Sequence, residues 1–176
     1  MTVETLRQKM PAYAKDTKLN LGRVLSADGV DGLTPKQTFS IALASAYATK
    51  RPEIIDAVAS EAILSPEEVE AARAAATIMG MNNIYYRFVH LVGDKEYAKL
   101  PANLRMNVIA NPGVDKVDFE LMSLAVSALN GCGMCMDAHV AEVVKAGVTK
   151  QGVQSAIRIA AVLNAAAQAL AIEDAA

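Results

Sequence analysis

The chain has 176 residues, 53% of them hydrophobic but only 5% aromatic, with no tryptophan. Seventeen basic residues against nineteen acidic ones leave a net charge of −2, which argues against nucleic acid as the main partner, since phosphate binding needs a concentrated basic face. This length suits one domain, or two small halves sharing a core. Much of the apolar content is alanine, which favours closely packed helices over strands. The first residues, Met1 to Arg7, lack the apolar run of a secretory signal. The segment from Ala156 to Ile172 is interrupted by Arg158, Asn164 and Gln168, which makes it a poor membrane span. A soluble cytoplasmic protein is the expectation. In that compartment a cysteine pair is catalytic or metal-binding more often than a structural staple.

In chain order, residues 2–15 read as a first helix capped by Thr2, with Leu6, Met10 and Tyr13 on one side. Asp16 is placed to cap a shorter helix ending near Leu25. The glycines and aspartates from Ser26 to Pro35 mark a loop. Thr34 before Pro35 starts a helix to about Thr49, by an N-cap followed by proline at the first helical position. Arg51-Pro52 starts another, to about Ile63. Ser65-Pro66-Glu67-Glu68 combines an N-cap serine, an N1 proline and a capping-box glutamate, and predicts a helix to about Gly80. Asn82 and Asn83 are expected to break it before the run Ile84 to His90. Residues 93–105 form a mixed connection, and Met106 to Gly113 an apolar turn with a Pro-Gly stop. Asp115 caps a helix with Val117, Leu121, Leu124 and Ala128 at helical spacing, ending at Asn130-Gly131. A cysteine-bearing helix follows, closed by Lys145 and Gly147. Thr149 begins a helix to about Ala161, and a last one ends near Ile172. No alternating strand pattern is evident.

A faint repeat runs through this order. Phe39 to Ala46 aligns with Phe119 to Val126, and with a four-residue shift Ser65 to Val69 aligns with Thr149 to Val153. These similarities suggest one helical unit duplicated, over about 34–90 and 115–172. Pro52 and Ile55 then stand where Cys132 and Cys135 stand, so only the second copy carries chemistry.

That chemistry lies in Cys132-Gly133-Met134-Cys135-Met136-Asp137-Ala138-His139, which holds both cysteines and one of the two histidines. On a helix, residues three and four apart share a face, so Cys132, Cys135 and His139 form one row. A thiolate is the nucleophilic form of cysteine, and an imidazole nearby can take its proton or balance its charge. A Cys-x-x-Cys pair can also close into a disulfide and reopen by exchange. The preceding helix carries a polar stripe of Glu120, Ser123 and Ser127. With a short turn at Asn130-Gly131 the two helices are expected to pack antiparallel. At ~1.5 Å rise per residue, Glu120 and His139 then reach similar depth. The row becomes Glu120, His139, Cys135, Cys132: orienter, base and nucleophile. Proximity to the helix start favours Cys132 as the more acidic thiol, whereas the histidine four residues on favours Cys135.

Glu120, eleven intervening residues, Cys132-x-x-Cys135 and three residues to His139 together resemble the alkyl hydroperoxidase D family, of the all-helical carboxymuconolactone decarboxylase-like superfamily. Tyr13-Ala-Lys-Asp16, Ile78 to Asn83 and Leu104 to Gly113 are similar to it too, so the likeness spans nearly the whole chain. The resemblance implies an all-α bundle that reduces hydroperoxides, with no tightly bound cofactor or metal. It implies re-reduction by the lipoyl group of a dihydrolipoamide acyltransferase, electron transfer to the peroxiredoxin alkyl hydroperoxide reductase C, and a homotrimer or a multiple of it. By position, Cys135 attacks the peroxide, becomes a sulfenic acid and forms the mixed disulfide with the peroxiredoxin. Cys132 donates a proton and resolves Cys135 as the Cys132–Cys135 disulfide, while Glu120 and His139 relay protons. The sequence departs from the family at Met134, where relatives can carry a histidine; a thioether carries no proton.

Other readings remain open on the residues alone. Cys132, Cys135 and His139 supply three soft ligands for zinc, or the cysteines are inert core residues. A non-peroxidatic redox carrier or sensor would keep the disulfide without turnover. A lactone decarboxylase of the superfamily would typically lack the dithiol. His90, in an apolar stretch, reads as structural, and Met79, Met81, Met106, Met122, Met134 and Met136 as gap-fillers between helices.

Overall fold

The computed structural model describes residues 1–26 and 28–175. Among them every regular element is helical. Two short helical pieces come first, α1 (Val3–Gln8) and α2 (Lys15–Val24), separated by a 3-10 turn at Ala12–Ala14. The single helix expected over 2–15 is therefore split. Pro11 cannot donate a backbone hydrogen bond to the preceding turn, so the chain leaves α1 there. Asp16 falls inside α2, whose N-cap is Ala14.

The next three helices are α3 (Pro35–Thr49), α4 (Pro52–Glu61) and α5 (Pro66–Leu91). All three expected proline starts are present. Thr34 with Gln37 and Ser65 with Glu68 form complete capping boxes, each satisfying two backbone N–H groups that a helix start otherwise leaves bare. After a short helix α6 (Asn107–Ala110) come α7 (Lys116–Leu129), capped by Asp115, α8 (Gly133–Lys145) and α9 (Lys150–Asp174). The break expected near Ala161 is absent. With no glycine or proline between Gly152 and Asp174, nothing stops α9.

The core forms around α3 and α7, which pack on each other and on α5 and α9. Every residue from Thr38 to Ala46 and from Asp118 to Ser127 is buried, so neither helix keeps a solvent face. Phe119, Leu121, Leu124, Ile41 and Leu43 are among the largest fully buried side chains. Each such side chain stabilises the fold by roughly 1.5–3 kcal/mol relative to exposure. Alanines 42, 44 and 46 let the neighbouring helices approach closely. The tightest approach joins the loop before α3 to the first turn of α9. A Cβ at Gly152 would collide with the carbonyl of Gly32, so glycine is required there.

Polar contacts tie the starts of the inner helices together. Lys36 on α3 reaches Glu68 of α5 at 3.3 Å and Asp118 of α7 at 3.4 Å, and the Gln37 amide donates to Asp118 at 2.8 Å. These acidic partners raise the pKa of Lys36, with the Glu68 hydrogen bond the largest cause. By length and composition α9 could cross a membrane, with mean hydropathy 1.5 over its most apolar window. Half of that window, however, is buried inside the protein. The three polar residues that argue against a span do not lower its hydropathy enough to decide the matter; the packing against α3 and α7 uses the apolar face instead.

Candidate active site

The site begins at the turn between α7 and α8. Gly131 adopts φ 69°, a left-handed conformation that glycine takes without steric cost. The turn reverses the chain so that α8 runs back along α7. Cys132 does not lie inside the helix, as equal spacing along one helical face would have it. It is the N-cap of α8, with extended backbone, and its Sγ accepts from the Cys135 N–H at 3.3 Å. The two sulfurs are joined as a disulfide, with Cα atoms 5.3 Å apart. Cys132 is fully enclosed, whereas Cys135 retains 7% exposure, so Cys135 is the sulfur nearer solvent.

One turn along α8, His139 faces the neighbouring helices. Its Nδ1 lies 2.6 Å from Glu120 Oε2 on α7, with both side chains buried. An ionised carboxylate only accepts, so Nδ1 carries the proton in this contact. The structure therefore brings Glu120 and His139 together. The other ring nitrogen, Nε2, has a partner that the spacing gives no hint of. It lies 3.4 Å from Sδ of Met79, a residue 1% exposed on α5.

Helix α5 reaches the site because it does not break at Asn82 and Asn83. Both are buried, and Asn83 uses its amide on tertiary partners. Its Nδ2 donates to Ser127 Oγ at 2.9 Å, and its Oδ1 accepts from Asn130 Nδ2 at 3.0 Å. Arg87, one turn on, donates from Nη1 to the Asn130 carbonyl at 2.6 Å. Asparagine weakens a helix by competing for backbone groups. Here its side chain is engaged across the interface, and tertiary bonds override the local preference. The turn before the dithiol is thus held from α5 by two side chains. A cavity of about 500 Å³ opens beside it, lined in part by Tyr47, Lys50, Asn83, Ile84, Arg87 and Asn130.

Of the polar stripe on α7, Glu120 bonds His139 and Ser127 bonds Asn83, while Ser123 Oγ is buried without a protein partner. His90 is exposed in the last turn of α5, where a basic group complements the helix dipole; it is not a core residue. Met79 is more than a gap-filler, since its sulfur meets a ring nitrogen. Among the described residues no three His, Cys, Asp or Glu side chains converge as metal ligands.

Fold and site define an all-helical protein with a Cys-x-x-Cys disulfide at a helix start and a buried carboxylate–imidazole pair one turn further along. A family model described as the carboxymuconolactone decarboxylase family matches residues 95–176. The chain is 56% identical over 174 residues to the alkyl hydroperoxide reductase AhpD of Coxiella burnetii (strain RSA 493 / Nine Mile phase I), covering 98% of each. It is 55% identical to the AhpD of Maricaulis maris, over 98% of this chain and 99% of the relative. It is 49% identical to the AhpD of Brucella canis, over 99% of each. The chain belongs to the AhpD family, within the carboxymuconolactone decarboxylase-like superfamily.

Proposed function

We propose that this protein is an antioxidant peroxidase that reduces organic hydroperoxides through the Cys132–Cys135 pair. The observation that carries the reading is the cysteine pair at the start of α8, the helix whose buried His139 bonds Glu120 of α7. The names of its relatives, alkyl hydroperoxide reductases, support the same chemistry.

The cycle starts from the dithiol. The Cys135 thiolate attacks the terminal peroxide oxygen, the O–O bond breaks, and Cys135 becomes a sulfenic acid while an alkoxide leaves. The alkoxide takes a proton, supplied by Cys132 or through the His139–Glu120 pair, and departs as the alcohol. The Cys132 sulfur then attacks Cys135, forming the disulfide and releasing water. Attack by Cys135 agrees with its greater exposure. Cys132 is suited to leave as thiolate on re-reduction, because the Cys135 N–H and the helix start favour negative charge on its sulfur.

The reductant in this reading is the dihydrolipoyl group of a dihydrolipoamide acyltransferase. Its two thiols take the disulfide's place in exchange, so the enzyme regains two thiols and the lipoyl ring closes. Electrons also pass to alkyl hydroperoxide reductase C. The Cys135 thiolate attacks the peroxiredoxin disulfide, and Cys132 resolves the mixed disulfide. Such a cycle places the protein in the reducing cytoplasm. The apolar side chains of Ile84, Phe88, Leu91 and Leu100 are all exposed, which supports assembly into a homotrimer or a multiple of it. Halves of about 34–90 and 115–172 read as copies of one helical unit in a single domain.

Cys132→Ser tests the assignment of roles. After one equivalent of an organic hydroperoxide, mass spectrometry of this variant should find a dimedone-trapped sulfenic acid at Cys135. Trapping at no cysteine would remove Cys135 as the attacking thiol.

A further inference from the structure

The cavity of about 500 Å³ beside the redox turn takes no part in the cycle above, and two of the residues lining it are unsuited to their backbones. Lys50 ends α3 with φ 59°. A left-handed residue at a helix end is usually glycine, because a Cβ strains that conformation. The other described residues with positive φ are all glycines apart from Asn103. Gly80 has the opposite fault. It lies in the middle of α5, where glycine weakens a helix relative to alanine. Unlike Gly152, it is not required by packing, since a Cβ there would meet nothing within 4 Å. Both residues forgo local stability, and they do so at the same cavity.

What they provide there is positive charge beside open space. Thr77, Gly80, Ile84 and Arg87 follow one another at helical spacing on one face of α5, and all line the cavity. Arg87 donates from Nη1 to the Asn130 carbonyl at 2.6 Å, which holds its guanidinium at the wall. No acidic residue lines the cavity, and among the described residues neither Lys50 nor Arg87 forms an ion pair. Tyr47, Ala48, Ala76 and Ile84 add apolar surface to the same walls. A guanidinium and an ammonium suit a carboxylate, and apolar walls suit a hydrocarbon chain attached to it. Bare backbone at Gly80 lets such a chain lie close to α5. We infer that this cavity is a binding site for a carboxylate carried on a short apolar chain. Lys50 and Arg87 take the carboxylate, and the glycine face of α5 takes the chain. The inference stands apart from the peroxidase reading, since it draws on no property of the sulfurs.

Calorimetric titration of the assembled protein with octanoate should show saturable binding at one site per chain. Amide spectra of the same titration should shift at Tyr47 to Lys50 and at Ala76 to Arg87. 1-Octanol lacks the charge and acetate lacks the chain, so each should bind at least about tenfold more weakly. Two substitutions test the site without endangering the fold. Lys50→Gly and Gly80→Leu suit their backbones better and should melt at or above the wild-type temperature. Lys50→Gly should weaken octanoate about tenfold by removing the ammonium. Gly80→Leu should abolish binding by placing a side chain where the hydrocarbon lies. Both variants thus gain stability and lose the ligand. No saturable binding by wild type, octanol or acetate binding as tightly as octanoate, shifts confined to other residues, or wild-type affinity in either variant would each overturn the inference. A lower melting temperature in both variants would remove its premise. No peroxide enters these measurements, so failure of the peroxidase reading would appear separately, as absent turnover beside intact octanoate binding.

Discussion

Two helical hairpins in this molecule are built alike and do different things. In the first, α3 turns through Lys50 into α4; in the second, α7 turns through Gly131 into α8. Each turn contains a residue with left-handed backbone, φ 59° at Lys50 and φ 69° at Gly131. Both inner helices are buried on all sides. The outer helices differ. Helix α4 points Ile54, Ala57 and Val58 inward, whereas α8 points Cys135, His139 and Val143 inward. Among its buried polar residues the first hairpin has only the hydroxyls of Thr38, Ser40 and Ser45, whereas the second also buries a carboxylate and an imidazole. Burying a carboxylate and an imidazole is costly unless they bond to each other, as Glu120 and His139 do. A chemical site has been set into a packing element, and its polar groups are satisfied from α7 and α5.

That contrast can be broken most sharply by paired substitutions. His139→Phe should lower peroxide turnover about a hundredfold, the usual scale for losing a positioned acid–base group. It should also raise the pH at which the reactive thiol is alkylated. Ile54→Ala in the quiet hairpin should cost about 2–5 kcal/mol of stability and leave that alkylation profile unmoved. A shifted profile for Ile54→Ala, or none for His139→Phe, would erase the distinction between the hairpins.

A middle-sized effect is expected at Asn83, the residue that reaches from α5 to the redox turn. Asn83→Ala leaves Ser127 and the Asn130 amide without their partner and should cost about 1–3 kcal/mol in denaturant unfolding. Wild-type stability in the variant would show that the turn holds itself.

The smallest effect concerns Lys36, half exposed and shared between Glu68 and Asp118. Its pKa is raised in the folded state, so its contribution is complete at neutral pH and fades as pH rises through that raised value. Lys36→Met should lower the melting temperature at pH 7 by less than Asn83→Ala does, and the difference from wild type should vanish at strongly alkaline pH. A difference that persists there would assign the effect to packing instead.

What was legible in the sequence follows from where the controlling forces are local. Thr34-Pro35, Ser65-Pro66 and Asp115 announce their helices because caps act within one turn. The pairing of Glu120 with His139 could be read because a two-helix hairpin has simple register. Three features lay beyond such reading. Asn82 and Asn83 look like breakers, and only the bonds of Asn83 to Ser127 and Asn130, across the interface, explain why α5 continues. Cys132 reads as a helical residue, but the left-handed turn at Gly131 makes it a cap. Met79 is distant in sequence from His139, so no spacing links the two; the one signal was a methionine and two asparagines in a run that resembles the family.

The measurement that tests the central claim most directly is hydroperoxide consumption with dihydrolipoamide as the only reductant, for wild type and Cys135→Ser. The account predicts sustained turnover by wild type, Met134 included, and none by the variant. Equal consumption by both proteins, or none by a wild type whose disulfide the reductant opens freely, would contradict it.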